Sequence, residues 1–225
     1  MNTNKKLTKT WGGLAAALAL TPMLQAADLP TGRIEAFAGD KYTTLDTKVG
    51  GTLGKHFNYF GRNITTFDHN EKTSSPFSFI DLSVNVGKGF TLVNETQFID
   101  SSQGTIVTPR LGFEYFGKLS PISTNLTLYT INTVNVPTHR DPLLNGENVT
   151  TLTWSPPLGK TGRYSGLLQV EAVTNIGEKG YNFASQNFRA GITTKRFEWG
   201  LGVNLGHAPD KKMSYTLGPF ASIKF

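Results

Sequence analysis

Cysteine is absent from this 225-residue chain, which excludes a disulfide framework, a CxxC redox site and any thiolate metal site. Charged residues are scarce at 17%, against about a quarter in an ordinary soluble domain. Nowhere do roughly 18 apolar residues follow one another, so no helical membrane span is available. Histidine occurs only at His56, His69, His139 and His207, which leaves few bases for hydrolytic chemistry. The mean hydropathy of −0.23 would suggest a soluble protein, but a membrane β-barrel alternates apolar with polar residues and averages to a similar value. What the chain does have is glycine, 24 residues of it, well above the usual share of about 7%.

The first 27 residues carry a basic patch (Lys5, Lys6, Lys9), an apolar run from Trp11, and Leu24-Gln25-Ala26-Ala27 before Asp28. This is the layout of a secretory signal peptide, with cleavage expected after Ala26 or Ala27. Removing three lysines from the 22 Lys+Arg leaves 19 against 16 Asp+Glu, so the net charge falls from +6 to +3. The pI of about 9.5 therefore partly reflects the signal, and no nucleic-acid partner is expected. Residues 28–225 then form one domain, a size that a single fold accommodates.

That domain reads as strands throughout. In Phe197–Gly206 the residues Phe197, Trp199, Leu201, Val203 and Leu205 share one face, while Glu198, Gly200, Gly202, Asn204 and Gly206 share the other. Period-two alternation of this length is a strand signal, because a helix would scatter these residues around its circumference. The same alternation recurs over 80–86, 110–116, 168–172, 187–193 and 214–225. Breaks at Gly, Pro, Asn and Asp clusters give twelve strands, at 33–39, 43–53, 56–66, 77–86, 90–99, 105–116, 124–134, 149–155, 164–174, 186–195, 197–206 and 213–225. Merging 43–66 differently gives ten. Connections alternate between short turns and longer polar loops at 68–76, 100–104, 137–148, 175–185 and 207–212. Such alternation predicts a closed, antiparallel, up-and-down transmembrane β-barrel with both termini at the short-turn end.

A soluble β-sandwich is the competing all-β architecture. Aromatic residues near strand ends, such as Phe57, Tyr59, Phe77, Trp154, Trp199 and Tyr215, suit headgroup level. Charged residues at mid-strand would be costly in a dry sandwich core. The terminal strand, Tyr215-Thr-Leu-Gly-Pro-Phe-Ala-Ser-Ile-Lys-Phe225, resembles that of Gram-negative outer-membrane β-barrel proteins, of the small monomeric porin or channel type. That resemblance implies localisation in the bacterial outer membrane, contact with outer-membrane lipid and lipopolysaccharide, and delivery to the barrel-assembly machinery through the strand ending at Phe225. Pro219 departs from the pattern and is expected to mark a bulge.

Inward positions then include Arg62, Asp81, Glu95, Arg110, Glu114, Lys118, Gln169, Glu171, Arg189, Lys195 and Glu198. Mixed charges facing one another across a narrow pore set up a transverse field that screens solutes by size and charge. Alternatively, neighbours such as Glu171 and Arg189 neutralise each other and fill the barrel. Inward glycines (Gly112, Gly191, Gly200, Gly202, Gly206, Gly218) either leave free volume or relieve the pleat where the sheet curves. Asp68-His69, His139 with Asp141, and His207 with Asp210 fall in exposed loops, where a rim hydrolase acting on lipid or peptide could place an acid/base pair. Four Asn-X-Thr triplets, at Asn63, Asn94, Asn125 and Asn148, match the glycosylation acceptor pattern, which is expected here by chance in Thr-rich strands. The leading expectation is a non-enzymatic channel for passive diffusion of small polar solutes, without cofactor or metal, its selectivity set by lumen charges and its mouth narrowed by loops 137–148 and 175–185. The alternative is a structural or adhesin-like closed barrel whose loops bind a partner.

Overall fold

Alternation with period two puts every second side chain on one face of a pleated strand, so a sheet that closes on itself sorts residues into a wall and a lumen. The computed structural model describes residues 31–225 apart from 55, 72, 102–103, 121, 137–143, 179 and 210. The expected signal peptide, His139, Asp141 and Asp210 lie outside the described residues.

Twelve strands cross the wall. They are β1 (Thr31–Ala38), β2 (Tyr42–Leu53), β3 (Phe57–Asp68), β4 (Ser74–Gly87), β5 (Phe90–Ser101), β6 (Gly104–Lys118), β7 (Leu126–Asn135), β8 (Asn145–Trp154), β9 (Tyr164–Gly177), β10 (Gly180–Thr193), β11 (Phe197–His207) and β12 (Ser214–Lys224). A two-residue piece, Pro157–Leu158, pairs only with Tyr164 and Ser165 and does not cross. Each strand pairs antiparallel with the next, and β12 returns to β1 from Arg33↔Lys224 to Phe37↔Phe220. Gly32 and Phe225 exchange two backbone hydrogen bonds at that seam, 2.8 and 3.0 Å long. The count is therefore twelve rather than ten, and closure leaves no unpaired strand edge.

The connections differ from expectation. Strand pairing continues through Ser74–Pro76 and through Asn175–Gly177, which the sequence marks as loop. The β9–β10 connection consequently shrinks from 175–185 to 178–179, and no long loop stands there to narrow a mouth. Once a register is set, the ladder supplies backbone hydrogen bonds to polar residues as readily as to apolar ones. The two longest connections, 136–144 and 155–163, lie at opposite ends of the barrel, so loop length does not distinguish the ends. Pro219 sits opposite Leu201 with no register shift, so it marks no bulge; the shifts fall at Asn85/Gly87 and Asn175/Ile176.

Outward aromatic residues concentrate at the end holding Thr31 and Phe225: Phe57, Phe90, Tyr115, Trp154, Tyr164 and Phe197 are all exposed or half-exposed there. Such a girdle suits the headgroup boundary. Phe77 is an exception. In register with inward Ile64, it packs against Phe79 with ring centroids 5.9 Å apart.

Candidate functional site

The inward residues of β1 and of β10–β12 form a tight polar layer. Arg33 pairs with Glu35 on its own strand and reaches Glu198 at 2.9 Å. Glu198 also takes Lys224 Nζ at 2.7 Å and accepts hydrogen bonds from Ser222 (3.1 Å) and Thr193 (3.2 Å). Next in line, Arg189 pairs with Glu35 at 3.2 Å and donates to Asn204 Oδ1 at 2.7 Å. Its guanidinium lies 4.7 Å from the Phe37 ring and 5.6 Å from that of Phe220. Gly202 leaves the space that this side chain occupies. Arg189 is only 8% exposed, so it is a clasp across the closing seam as well as a lumen charge.

An ion pair crosses the lumen. Arg62 on β3 donates from Nε to Asp46 Oδ1 (3.0 Å) and from Nη2 to Asp46 Oδ2 (2.7 Å), a bidentate fork. Asp46 also holds Lys48 at 3.3 Å. The same Nη2 lies 3.6 Å from Glu171 Oε1 on β9. In a ring of twelve, β3 and β9 are diametrically opposed. Glu171 is steadied by Asn187, which donates to it at 3.1 Å.

This crossing separates two unlike halves. Toward β4–β8 the lumen is packed and acidic. Arg110 is its one cation among the described residues deep in that half, 3.6 Å from Glu95 and 3.3 Å from Glu147. Gln97 donates to Glu95 at 2.7 Å. Asp81 faces Glu95 in register and is 4% exposed, while Thr91 and Tyr129 hydrogen-bond to Glu114. Toward β1–β3 and β9–β12 a cavity of about 280 Å³ remains. Four cations (Arg33, Lys48, Arg62, Arg189) and three carboxylates (Glu35, Asp46, Glu171) line it.

The nine sequence candidates thus sort as follows. Arg62, Asp81, Glu95, Arg110, Glu114, Glu171, Arg189 and Glu198 all lie on inward positions of their strands. Lys195 does not: β10 stops at Thr193, and the 194–196 turn carries Lys195 into solvent. Lys118 likewise ends exposed at the tip of β6. Glu171 and Arg189 do not pair; Arg189 faces Gln169 in register, and each finds its ion partner across the lumen or the seam. The inward glycines leave little free volume. A Cβ on Gly112, Gly191, Gly200 or Gly218 would overlap the backbone carbonyl of the next strand, and the remaining two face Arg189 and Ser214 side chains. They permit close approach and curvature.

Arg33, Glu35, Asp46, Lys48, Glu147 and Lys224 also belong to these ion-pair groups and are not singled out by the sequence. For Arg33 and Glu35 a signal exists, their alternation with Ile34 and Ala36. The three described histidines have different surroundings. His69 Nε2 lies 3.0 Å from the Thr43 hydroxyl, His207 Nδ1 lies 2.8 Å from the Tyr181 hydroxyl, and His56 is exposed in the β2–β3 turn. Asp68 is occupied by the backbone amides of Asn70 and Glu71, at 2.8 and 2.9 Å.

No family model matches the chain, and no curated protein matches it. Among solved structures it is similar to a NanC porin, with a TM-score of 0.53 at 8% identity over 88% of this chain and 99% of that one. It is also similar to the KdgM porin in complex with disordered oligogalacturonate (TM-score 0.51, 8% identity, 87% and 98% covered) and to LpxR from Salmonella typhimurium (0.50, 7%, 88% and 99%). At such identities the likeness is one of fold. Together with the closed twelve-strand wall and its polar lumen, it defines the fold class: a porin-like closed antiparallel β-barrel.

Proposed function

We propose that the protein is an outer-membrane channel for passive diffusion of small polar solutes. The supporting observation is a lumen cavity of about 280 Å³ walled by both signs of charge. The Arg62–Glu171 crossing bounds that cavity and acts as the constriction. Opposed charges on two walls impose a transverse field, which favours solutes able to present polar groups of both kinds. The barrel sits among outer-membrane lipid and lipopolysaccharide and reaches the membrane through its Phe225-terminated strand.

The packed β4–β8 half favours a second reading, a closed structural or adhesin-like barrel that passes nothing. Conductance in planar bilayers separates the two. Stable open steps from the purified mature protein support the channel, and traces at background level would leave only the closed barrel.

A further inference from the structure

A membrane-spanning wall meets water at two rims, and charged side chains on a rim stand at the level of lipid headgroups. The rim that holds Thr31 and Phe225 is built from the turns 54–56, 88–89, 119–125, 155–163 and 194–196. No Asp or Glu occurs in any of these turns. Lys88, Lys160, Arg163, Lys195 and Arg196 lie in them, and Lys118 stands at the tip of β6 beside them. All six are exposed. None enters an ion pair among the described residues, and Glu198, the carboxylate following Phe197, is turned into the lumen and held by Arg33 and Lys224. The opposite rim mixes the signs, with Asp40, Asp68 and Glu71 against Lys41, Lys211 and Lys212.

These cations adjoin the outward aromatic girdle. Lys88 precedes Phe90 by two residues, and Arg163 and Arg196 directly precede Tyr164 and Phe197. The Arg163 guanidinium lies 5.6 Å from the centre of the Tyr164 ring, and that ring is 40% exposed on the outer wall. Arg163 therefore rests against the outside of the barrel and not over its mouth. Lys88 adopts a φ of 54°, between Gly87 at 99° and Gly89 at 82°. Left-handed backbone of this kind suits glycine or asparagine, and Lys88 is the one described residue other than glycine that has it. The geometry of the turn gives no reason for a lysine; the charge of the rim does. Cations border four of the five turns, from β4 round to β11, so they are spread along the circumference and form no single face.

We propose that this rim is a docking ring for anionic phospholipid headgroups, whose phosphates seat between the turn cations and the aromatic rings. A headgroup layer surrounds a barrel on every side at one height, and cations spread around the circumference match that shape. A folded acidic partner would instead need them gathered on one face. Aromatic rings at the hydrocarbon boundary, with Lys and Arg just beyond them in sequence, occupy successive depths of one leaflet. With its flat face on Tyr164, Arg163 keeps the edge donors of its guanidinium for a phosphate. Such a ring requires the wall to span a membrane, and it is indifferent to whether the lumen conducts.

Trp154 and Trp199 both stand on the outer wall toward this rim, and in reconstituted mature protein, without Trp11, they report which lipid lies beside it. Bilayers of equal parts phosphatidylglycerol and phosphatidylcholine are prepared with bromine on the chains of one lipid or of the other. Brominated phosphatidylglycerol is expected to quench more strongly, reflecting about a fivefold enrichment beside each cation. The difference is expected to vanish in 1 M KCl, where the screening length shrinks to about 3 Å; this arm needs no variant. Exchanging all six cations for glutamine is expected to abolish the difference and preserve the total quenching, whereas Lys41→Gln/Lys211→Gln/Lys212→Gln at the opposite rim retains it. Equal quenching by the two lipids at low salt, a preference that survives 1 M KCl, or one that survives the six exchanges overturns the proposal. Quenching by neither lipid also overturns it, and removes the lipid-facing wall as well; missing conductance bears on the channel alone.

Discussion

Replacing Arg62 by alanine removes a charge that reaches both walls of the lumen. The variant leaves Asp46 with Lys48 at 3.3 Å and Glu171 with the Asn187 amide at 3.1 Å, so neither carboxylate is stripped of partners. At 3.6 Å the attraction to Glu171 is about 4–5 kcal/mol before desolvation is subtracted, using an effective dielectric near 20. Breaking a buried pair on one side costs about 3–5 kcal/mol, and the surviving partners place the loss of stability at the lower end, about 3 kcal/mol. The electrical effect is separate. An ion passing about 5 Å from the guanidinium in a wet lumen feels about 0.8 kcal/mol, or about a fourfold bias, and this distance lies inside the screening length at 0.1 M salt. Cation and anion feel this with opposite sign, so Arg62→Ala is expected to raise single-channel conductance and to shift the K⁺/Cl⁻ permeability ratio toward K⁺ by about fifteenfold, read from the reversal potential across a KCl gradient. Arg62→Lys keeps the charge but loses the planar fork, so it is expected to change conductance with little change in selectivity. An Arg62→Ala barrel that folds and conducts with unaltered permeability ratio and conductance would refute the constriction.

Further expectations are more local. Arg189→Ala loses the stacking on Phe37 and Phe220 and the bond to Asn204, and is expected to lower unfolding stability in micelles by about 2–4 kcal/mol; an unshifted urea midpoint would show that it clasps nothing. Gly191→Ala would drive a Cβ into the Trp199 carbonyl, whereas at Gly61 the nearest atom is 3.9 Å away. The first is expected to cost about 1–3 kcal/mol or more and to weaken the heat-resistant gel form, while Gly61→Ala leaves it unchanged. Trp154 and Trp199, both 41–42% exposed on the outer wall, are expected to be quenched by brominated lipid in reconstituted mature protein; fluorescence indifferent to bromine position would contradict the lipid-facing wall.

Where the sequence alternates large apolar with small or charged residues, as in Phe197–Gly206, strand, face and direction are all legible. The strands that expose Asn63, Thr65, Thr130, Asn148 and Thr150 blur that contrast, because outward and inward residues are both polar. Strand ends are less legible for a related reason. Ser74–Pro76 and Asn175–Gly177 look like loop in isolation, yet their neighbours supply a ladder. Inward parity can be read from sequence along a strand, but only while the strand lasts, which is why Lys195 has lumen parity in the sequence and lies in a turn in the fold. The pairing of Arg62 with Glu171 is not readable at all. Adjacent-strand register follows from hairpins, whereas a contact between the third and ninth staves depends on the cross-section of the finished cylinder.

The Gly32–Phe225 seam has a consequence for how the chain could be rewired. The first and last strands meet side by side there, held by reciprocal backbone bonds, and the Phe225 ring fills the space above Gly32. Chain order is therefore a matter of synthesis and not of shape. A permuted gene that fuses Phe225 to Thr31 through a short linker and opens the polypeptide within 155–163 would encode the same circle of neighbours, with β8 and β9 now the last pair to zip.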